Sequence, residues 1–202
     1  MTIEVPLFPL NTVLYPGGYL PLRIFEQRYL DMCAERMRSS QPFGVCLIRS
    51  GAEVGEAAEP EAVGCLAQIE KWDMHQLGIL ELVVLGTQRF EVRSRRVTAQ
   101  KLVIGEIEVL EAEAPQILPD EHAVCAEILR ALLEELREAP VRKPHRFDDA
   151  NWVGYRLAEL VPAPLEFKQT LLACEALERL ERMHAYLREK SAAARNESET
   201  KS

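Results

Sequence analysis

The sequence carries none of the short motifs that announce a catalytic centre. There is no Gly-x-x-x-x-Gly-Lys-Ser/Thr loop to cradle phosphates and no dinucleotide fingerprint. His-Glu-x-x-His is absent, as is the Gly-x-Ser-x-Gly elbow that exposes a nucleophilic serine. The five cysteines, Cys33, Cys46, Cys65, Cys125 and Cys174, are odd in number, widely spaced and form no Cys-x-x-Cys pair. A zinc ribbon and a thioredoxin-type redox site are thereby excluded, and buried free thiols are expected. His75, His122, His145 and His184 are scattered. His122 and Cys125 share a helix face, but two ligands do not make a site, so neither a metal nor a cofactor is expected. Long apolar runs are missing too. The most apolar, Ile79 to Leu85, is far shorter than a membrane span and includes Glu81. Met1 to Pro6 lacks a basic leader, so no signal peptide and a cytoplasmic location are expected.

What is present is an ordinary globular composition over 202 residues, 48% of them hydrophobic, with a formal net charge of -8. An acidic chain repels phosphate backbones overall, which makes nucleic acid a poor first partner. The pattern changes near Pro115–Pro119. Before it, short β-type runs dominate; after it, helical periodicity takes over. The fold class is therefore α+β: a β-rich lobe over 1–114, a helical lobe over 115–190 and a disordered tail over 191–202.

In the first lobe, strands are expected at 3–7, 13–15 and 19–22, with a turn at Pro16-Gly17-Gly18. Pro6, Pro9 and Pro21 place their strands at edges or bends. Phe25, Tyr29, Met32, Cys33 and Met37 recur at helical steps and predict a helix over 24–37. Further strands are expected at 45–48 and 63–69, then at 80–85, followed by a reversal at Gly86-Thr87 and strands from 89 and from 103. Trp72 to Gly78 reads as a connecting loop. Several short antiparallel strands with one helix suggest a small barrel-like sheet. In the second lobe, Asp120 is expected to cap a helix that Pro140 and Pro144 end, and Asp148 or Asp149 a second. Pro162 ends the second, Pro164 starts a third, and a last apolar series runs from Leu177 to Leu187.

Three clusters invite a functional reading. Glu106, Glu108, Glu111 and Glu113 alternate along a strand, which permits a paired acid/base site but fits a solvated face better. Arg89, Arg93, Arg95, Arg96 and Lys101 form the basic cluster, with Arg89 and Arg93 expected outward and Phe90 inward. Few aromatics interleave to stack bases, so a solvated face is again the default. Tyr15, Tyr19, Trp72, Met74 and Leu77 fall in predicted turns. They read either as anchors for a protein partner or as plugs over the barrel ends. As anchors they would line a groove between barrel and helical lobe that takes an extended peptide.

The segment Val5-Pro6-Leu7-Phe8-Pro9-Leu10-Asn11-Thr12-Val13-Leu14-Tyr15-Pro16-Gly17-Gly18 resembles the start of the substrate-binding domain of Lon proteases. Leu20 to Tyr29 is similar to the Leu-x-Ile-Phe-Glu-x-Arg-Tyr segment of stand-alone members of that family. Val63 to Ile69, Gly86 to Val92, Leu157 to Leu160 and Leu165 to Gln169 are similar to further segments. The resemblance spans roughly residues 5–187. It implies a PUA-like pseudo-barrel with one helix, followed by a helical bundle, in a bacterial-type protein. It also implies engagement of unfolded or extended protein segments, or of one specific protein partner. The ATPase and peptidase segments of full Lon proteases have no counterpart here, so neither activity carries over. The function expected is a non-enzymatic protein- or peptide-binding module, serving as an adaptor. The alternative is RNA binding through Arg89–Lys101, because PUA-like folds elsewhere bind RNA. Arg89, beside Phe90, is expected to bind Glu26 or backbone carbonyls and so to serve structure.

Overall fold

The computed structural model describes residues 2–136 and 141–199. It is a mixed α+β structure. Its contacts divide into two compact units. One comprises the chain up to Ala112 together with Pro164–Leu172; the other comprises Glu113–Ala163 with the described part of Ala173–Ser202. The sequence reading placed 164–172 in the helical lobe, and the packing instead returns this segment to the barrel.

The first unit is built on β1 (Thr2–Leu10), β2 (Tyr19–Ile24), α1 (Gln27–Ser39), β3 (Phe43–Ser50), β4 (Glu59–Gln76), β5 (Ile79–Val97) and β6 (Val103–Val109). The strand order is β2-β5-β4-β3-β1-β6, and β5 also pairs with β6. That extra pairing closes β5, β4, β3, β1 and β6 into a ring and leaves β2 as an outer strand. Alternate residues of the strands feed two apolar clusters on opposite faces of the sheet, the first of them shared with α1. One holds Phe8, Tyr29, Met32, Phe43, Leu82 and Val84, and the other Val5, Leu7, Phe90 and Ile107.

Pro6 and Pro9 sit in β1, which lies between two partners. The stagger of those partners resolves the conflict. β1 pairs with β6 over Thr2–Leu7 and with β3 over Leu7–Leu10, so each proline lies where only one neighbour is in register. A missing N–H is tolerated there.

Two expectations are corrected. Val13 to Tyr15 form no strand, although Leu14 and Tyr15 are buried. The chain does not reverse at Gly86; β5 runs straight through it. Glycine is required there because a Cβ would lie 2.2 Å from the Tyr15 carbonyl oxygen. The backbone of Gly86 exchanges hydrogen bonds with Gly17 and Gly18 at that crossing, at 2.8 Å each.

The second unit holds a short 3-10 turn (Asp120–His122), α2 (Ala123–Glu135), α3 (Ala150–Leu160) and α5 (Ala176–Glu199); α4 (Leu165–Ala173) belongs almost wholly to the first. Asp120 opens the 3-10 turn instead of capping α2, which has no side-chain cap. The expected role of Pro140 lies outside the described residues. Asp149 does cap α3, accepting from the Asn151 N–H at 3.0 Å. Seven consecutive residues from Asn151 onward include Val153, Tyr155, Arg156 and Leu157 in buried positions, and α3 is enclosed on nearly all sides. Arg179, fully buried, holds the unit together: it pairs with Glu113 at 3.1 Å, donates to the Cys174 carbonyl at 2.7 Å, and lies 3.7 Å from the centre of the Tyr155 ring. α5 continues to Glu199, through most of the stretch expected to fray. Its alanines favour helix without needing a buried face. Residues 200–202 lie outside the described residues.

Gly86→Ala is expected to cost about 2–3 kcal/mol, because the clash is with backbone that cannot rotate away. Chemical denaturation of the variant beside the wild type measures it.

Candidate functional site

The family-like residues gather where α4 meets the barrel. Tyr15 is buried, and its hydroxyl donates to the Lys168 carbonyl at 2.8 Å. Gln169 Nε2 donates to the Val63 carbonyl at 2.9 Å. Arg89 is only 5% exposed, and its Nη1 donates to the Leu172 carbonyl at 3.1 Å. The last carbonyls of a helix lack intrahelical donors and carry partial negative charge, which suits a guanidinium. The outward orientation expected for Arg89 is therefore corrected: α4 covers that side of β5, while Phe90 is fully buried on the other. Glu26 is engaged elsewhere, in an ion pair with Arg28 at 2.9 Å. Arg28 in turn is buried and donates to the Lys101 carbonyl at 2.8 Å.

Trp72 to Gly78 is not a loop. β4 and β5 keep pairing outward through Lys71↔Val83, Trp72↔Leu82, Asp73↔Glu81 and Gln76↔Ile79, so the segment forms a hairpin arm. Leu77 and Gly78 make its turn, and Gly78 has φ 82°, a left-handed value that suits glycine. Trp72 is 62% exposed and Met74 44%; Leu77 at the tip is 95% exposed. Tyr15 and Tyr19 do not join them. Tyr15 is buried against α4, and Tyr19 is half-buried on β2 opposite Leu85. The five-residue groove of the sequence reading thus reduces to three residues on the arm. At the base of the arm lies a hollow of about 520 Å³, walled by β2, β5 and β4 and lined by Pro21, Arg23, Lys71, Trp72, Glu81 and Val83 among others. The sequence reading missed Pro21, Arg23, Lys71 and Val83. Cross-strand register brings them together.

The basic cluster is matched by carboxylates. Arg93 pairs with Glu108 at 2.6 Å and Glu91 at 2.7 Å, Arg95 with Glu59 at 2.8 Å, Arg96 with Glu4 at 3.1 Å and Lys101 with Glu56 at 2.6 Å. These contacts spend the charge that a phosphate backbone would need. The acidic strand is corrected: β6 ends at Val109, so it carries Glu106 and Glu108 but neither Glu111 nor Glu113. Hydrogen bonds from Thr2 and then Ser94 hold the Glu106 carboxyl below the usual range, and the bond from Arg93 does so for Glu108. Glu113 faces Arg179 instead.

His122 Nδ1 lies 3.3 Å from His184 Nδ1. Among the described residues no three metal-ligating side chains come together. Burial pushes the Cys33 thiol up to about 12 and that of Cys125 up to about 11, and raises Cys46 further. Thiols held protonated are poor nucleophiles. No described helix is long and apolar enough to cross a membrane.

With this geometry in view, the comparison with known proteins is specific. The family model for the ATP-dependent protease La (LON) substrate-binding domain matches residues 4–189. The protein belongs to that family. Its similarity extends to a crystal structure of a Lon N-terminal domain protein from Xanthomonas campestris, 37% identical, with a TM-score of 0.77 over 91% of this chain and 98% of that one. The N-terminal domain of a Mycobacterium avium complex Lon protease shares the fold, with a TM-score of 0.61 at 18% identity. Among curated proteins, 83% of the chain is 29% identical to a Lon protease of Anaeromyxobacter dehalogenans and 27% identical to Lon protease 2 of Myxococcus xanthus. The chain spans about a fifth of the length of these curated relatives, 21% in each case. The match is to the substrate-binding domain and not to the protease or ATPase domains.

Arg89→Ala is expected to lower stability by about 1–3 kcal/mol, by leaving a buried carbonyl of α4 without its donor. A thermal melt reads this directly. A second expectation concerns the thiols: in native protein near pH 8, a disulfide thiol reagent labels Cys174 alone, which is half-buried, while the other four react only after denaturation.

Proposed function

We propose that this substrate-binding module holds extended segments of other proteins, and that it acts as an adaptor without chemistry of its own. The observation that carries the reading is the hairpin arm, which exposes Trp72, Met74 and Leu77 beside the hollow at its base. Exposed tryptophan and methionine are adaptable anchors for irregular apolar sequence. Nothing in the fold requires them to be exposed, since the ring of strands closes below the arm. The matched charges of Arg93–Lys101 favour protein over RNA as the partner, and the location consistent with such a role is the cytoplasm. Of the acidic residues, Glu106, Glu108 and Glu113 are spoken for by Thr2, Ser94, Arg93 and Arg179, which supports a binding role over an acid/base one.

The test uses casein, a protein with little fixed structure, as the client. Trp72→Ala is expected to weaken binding by at least about 2 kcal/mol. Stability is expected to stay within roughly 0.5 kcal/mol, because the side chain lies on an exposed arm. Large destabilisation with intact binding would show that Trp72 plugs the barrel. In the same preparations neither ATP nor casein is turned over. Turnover abolished by a point change in this chain would refute the non-enzymatic reading. Affinity capture from lysate with and without nuclease separates protein partners from RNA.

A further inference from the structure

Two histidines that the proposed function does not use meet inside the second unit. His122 closes the 3-10 turn at the start of α2 and is 6% exposed, and His184 lies on α5, half-buried. Their Nδ1 atoms are 3.3 Å apart, the ring centres are 5.5 Å apart, and the planes cross at 79°. The two distances differ by close to two imidazole radii. Both Nδ1 atoms therefore lie near the line that joins the ring centres. A ring nitrogen carries its lone pair or its hydrogen along that radius, so the two groups meet head-on. This is the geometry of a linear N–H···N bond, at the long end of the range. Two ligands of one metal ion would instead aim at a third point beside that line.

The chemistry of the contact follows. A neutral imidazole donates from one nitrogen and accepts at the other. At the contact one ring has its hydrogen on Nδ1. The other offers a bare Nδ1 and carries its own hydrogen on Nε2. A first added proton goes to the Nε2 of the donor ring and leaves the contact intact. A second has nowhere to go except the accepting Nδ1. Both Nδ1 atoms then carry hydrogens, both rings are cations, and the contact opens.

The surrounding charges do little to offset this. The 3-10 turn supplies Asp120 and Glu121, and α2 supplies Cys125, whose buried thiol stays protonated. On α5, Glu181 and Arg188 flank His184 at one turn on either side and are exposed, while Arg179 is taken by Glu113. On α3, Arg156 lies 3.2 Å from Glu159. Among the described residues only Glu121 comes within ion-pair distance of either ring, 3.8 Å from His122 Nε2, and it is 77% exposed, so water screens most of its pull.

We propose that this pair is an acid-sensitive latch: one shared proton ties the start of α2 to α5 at neutral pH, and protonation of both rings releases it. While latched, the pair binds one proton where the unfolded chain binds two. Stability then falls as pH falls. The loss sets in below about pH 6.5, where free imidazole titrates, and levels off once the latch is open. The whole chain is tested in two ways. Nitrogen NMR of the imidazole rings near neutral pH is expected to find one of the two rings with its hydrogen on Nδ1 and the other with it on Nε2. Two rings that both carry it on Nε2 overturn the latch, and this reading needs no variant. Chemical denaturation at pH 7.5 and pH 5.2 then compares wild type with His184→Gln, whose amide can bond His122 in either protonation state. Wild type is expected to lose about two- to tenfold more in its folding constant than the variant does, the worth of one net hydrogen bond. Equal losses in the two proteins overturn the proposal. Glu121→Gln is expected to keep the wild-type loss, and its disappearance there would assign the acid effect to that carboxylate instead.

Discussion

The hydrogen bonds exchanged between the barrel and α4 are the constraint on which the first unit depends. Tyr15, Arg89 and Gln169 come from distant parts of the chain or from the helix itself, and each bond has a main-chain carbonyl as acceptor. Backbone acceptors are indifferent to side-chain identity, so the bonds from Tyr15 and Arg89 constrain where α4 lies whatever side chains it carries, while the bond to Val63 requires Gln169 of α4 itself. They also determine the fate of the residues that make them. Arg89 and Tyr15 look like surface groups by pattern and are interior groups in fact, because a helix far along the sequence covers them. Gly86 completes the arrangement from the other side, by letting the segment around Tyr15 cross β5 at a distance that excludes any side chain.

From this base the arm extends outward. β4 and β5 run past the end of the ring, and the apolar residues they carry outward have no interior to enter. Packing energy stabilises the ring, and the exposed residues of the arm contribute little to it. The same separation explains why the charged residues fall into two populations. Around the ring, cations and carboxylates meet across strands and cancel. At the base of the arm, Arg23 lies opposite Glu81 in a row with Asp73, and no ion pair closes at Arg23 or Lys71.

Much of this was legible in the sequence. Period-two alternation located β4 and β6, the apolar run at 45–48 located β3, helical spacing located α1, and the pair Asp148 and Asp149 announced α3, with Asp149 the residue that caps it. Gly86 and Gly78 show where legibility ended. Gly86 suggested a reversal, and Gly78 closed a segment that read as a connecting loop. At Gly78 the left-handed backbone makes a tight turn at the tip of paired strands instead. At Gly86 the demand was for close approach, which depends on a segment seventy residues earlier and leaves no local trace. The pairing of Glu26 with Arg28 and of Arg89 with a helix end had the same character: the candidate residues were visible, but their partners are fixed by tertiary packing. For the candidate site, Trp72, Met74 and Leu77 stood out by type, whereas Pro21, Arg23, Lys71 and Val83 became neighbours only through strand register.

The return of α4 to the first unit also bears on how the chain assembles. Sequence order and spatial order part company at Ala112: the polypeptide leaves the barrel, builds two helices of another unit, and comes back at Pro164 before leaving again. A chain emerging from the ribosome therefore cannot finish its first unit when the last strand appears. The donors of Tyr15 and Arg89 wait, facing solvent, for some sixty further residues to be made, and contacts of such long sequence separation are slow to form. Assembly of the barrel is in this way tied to synthesis of the helices beyond it.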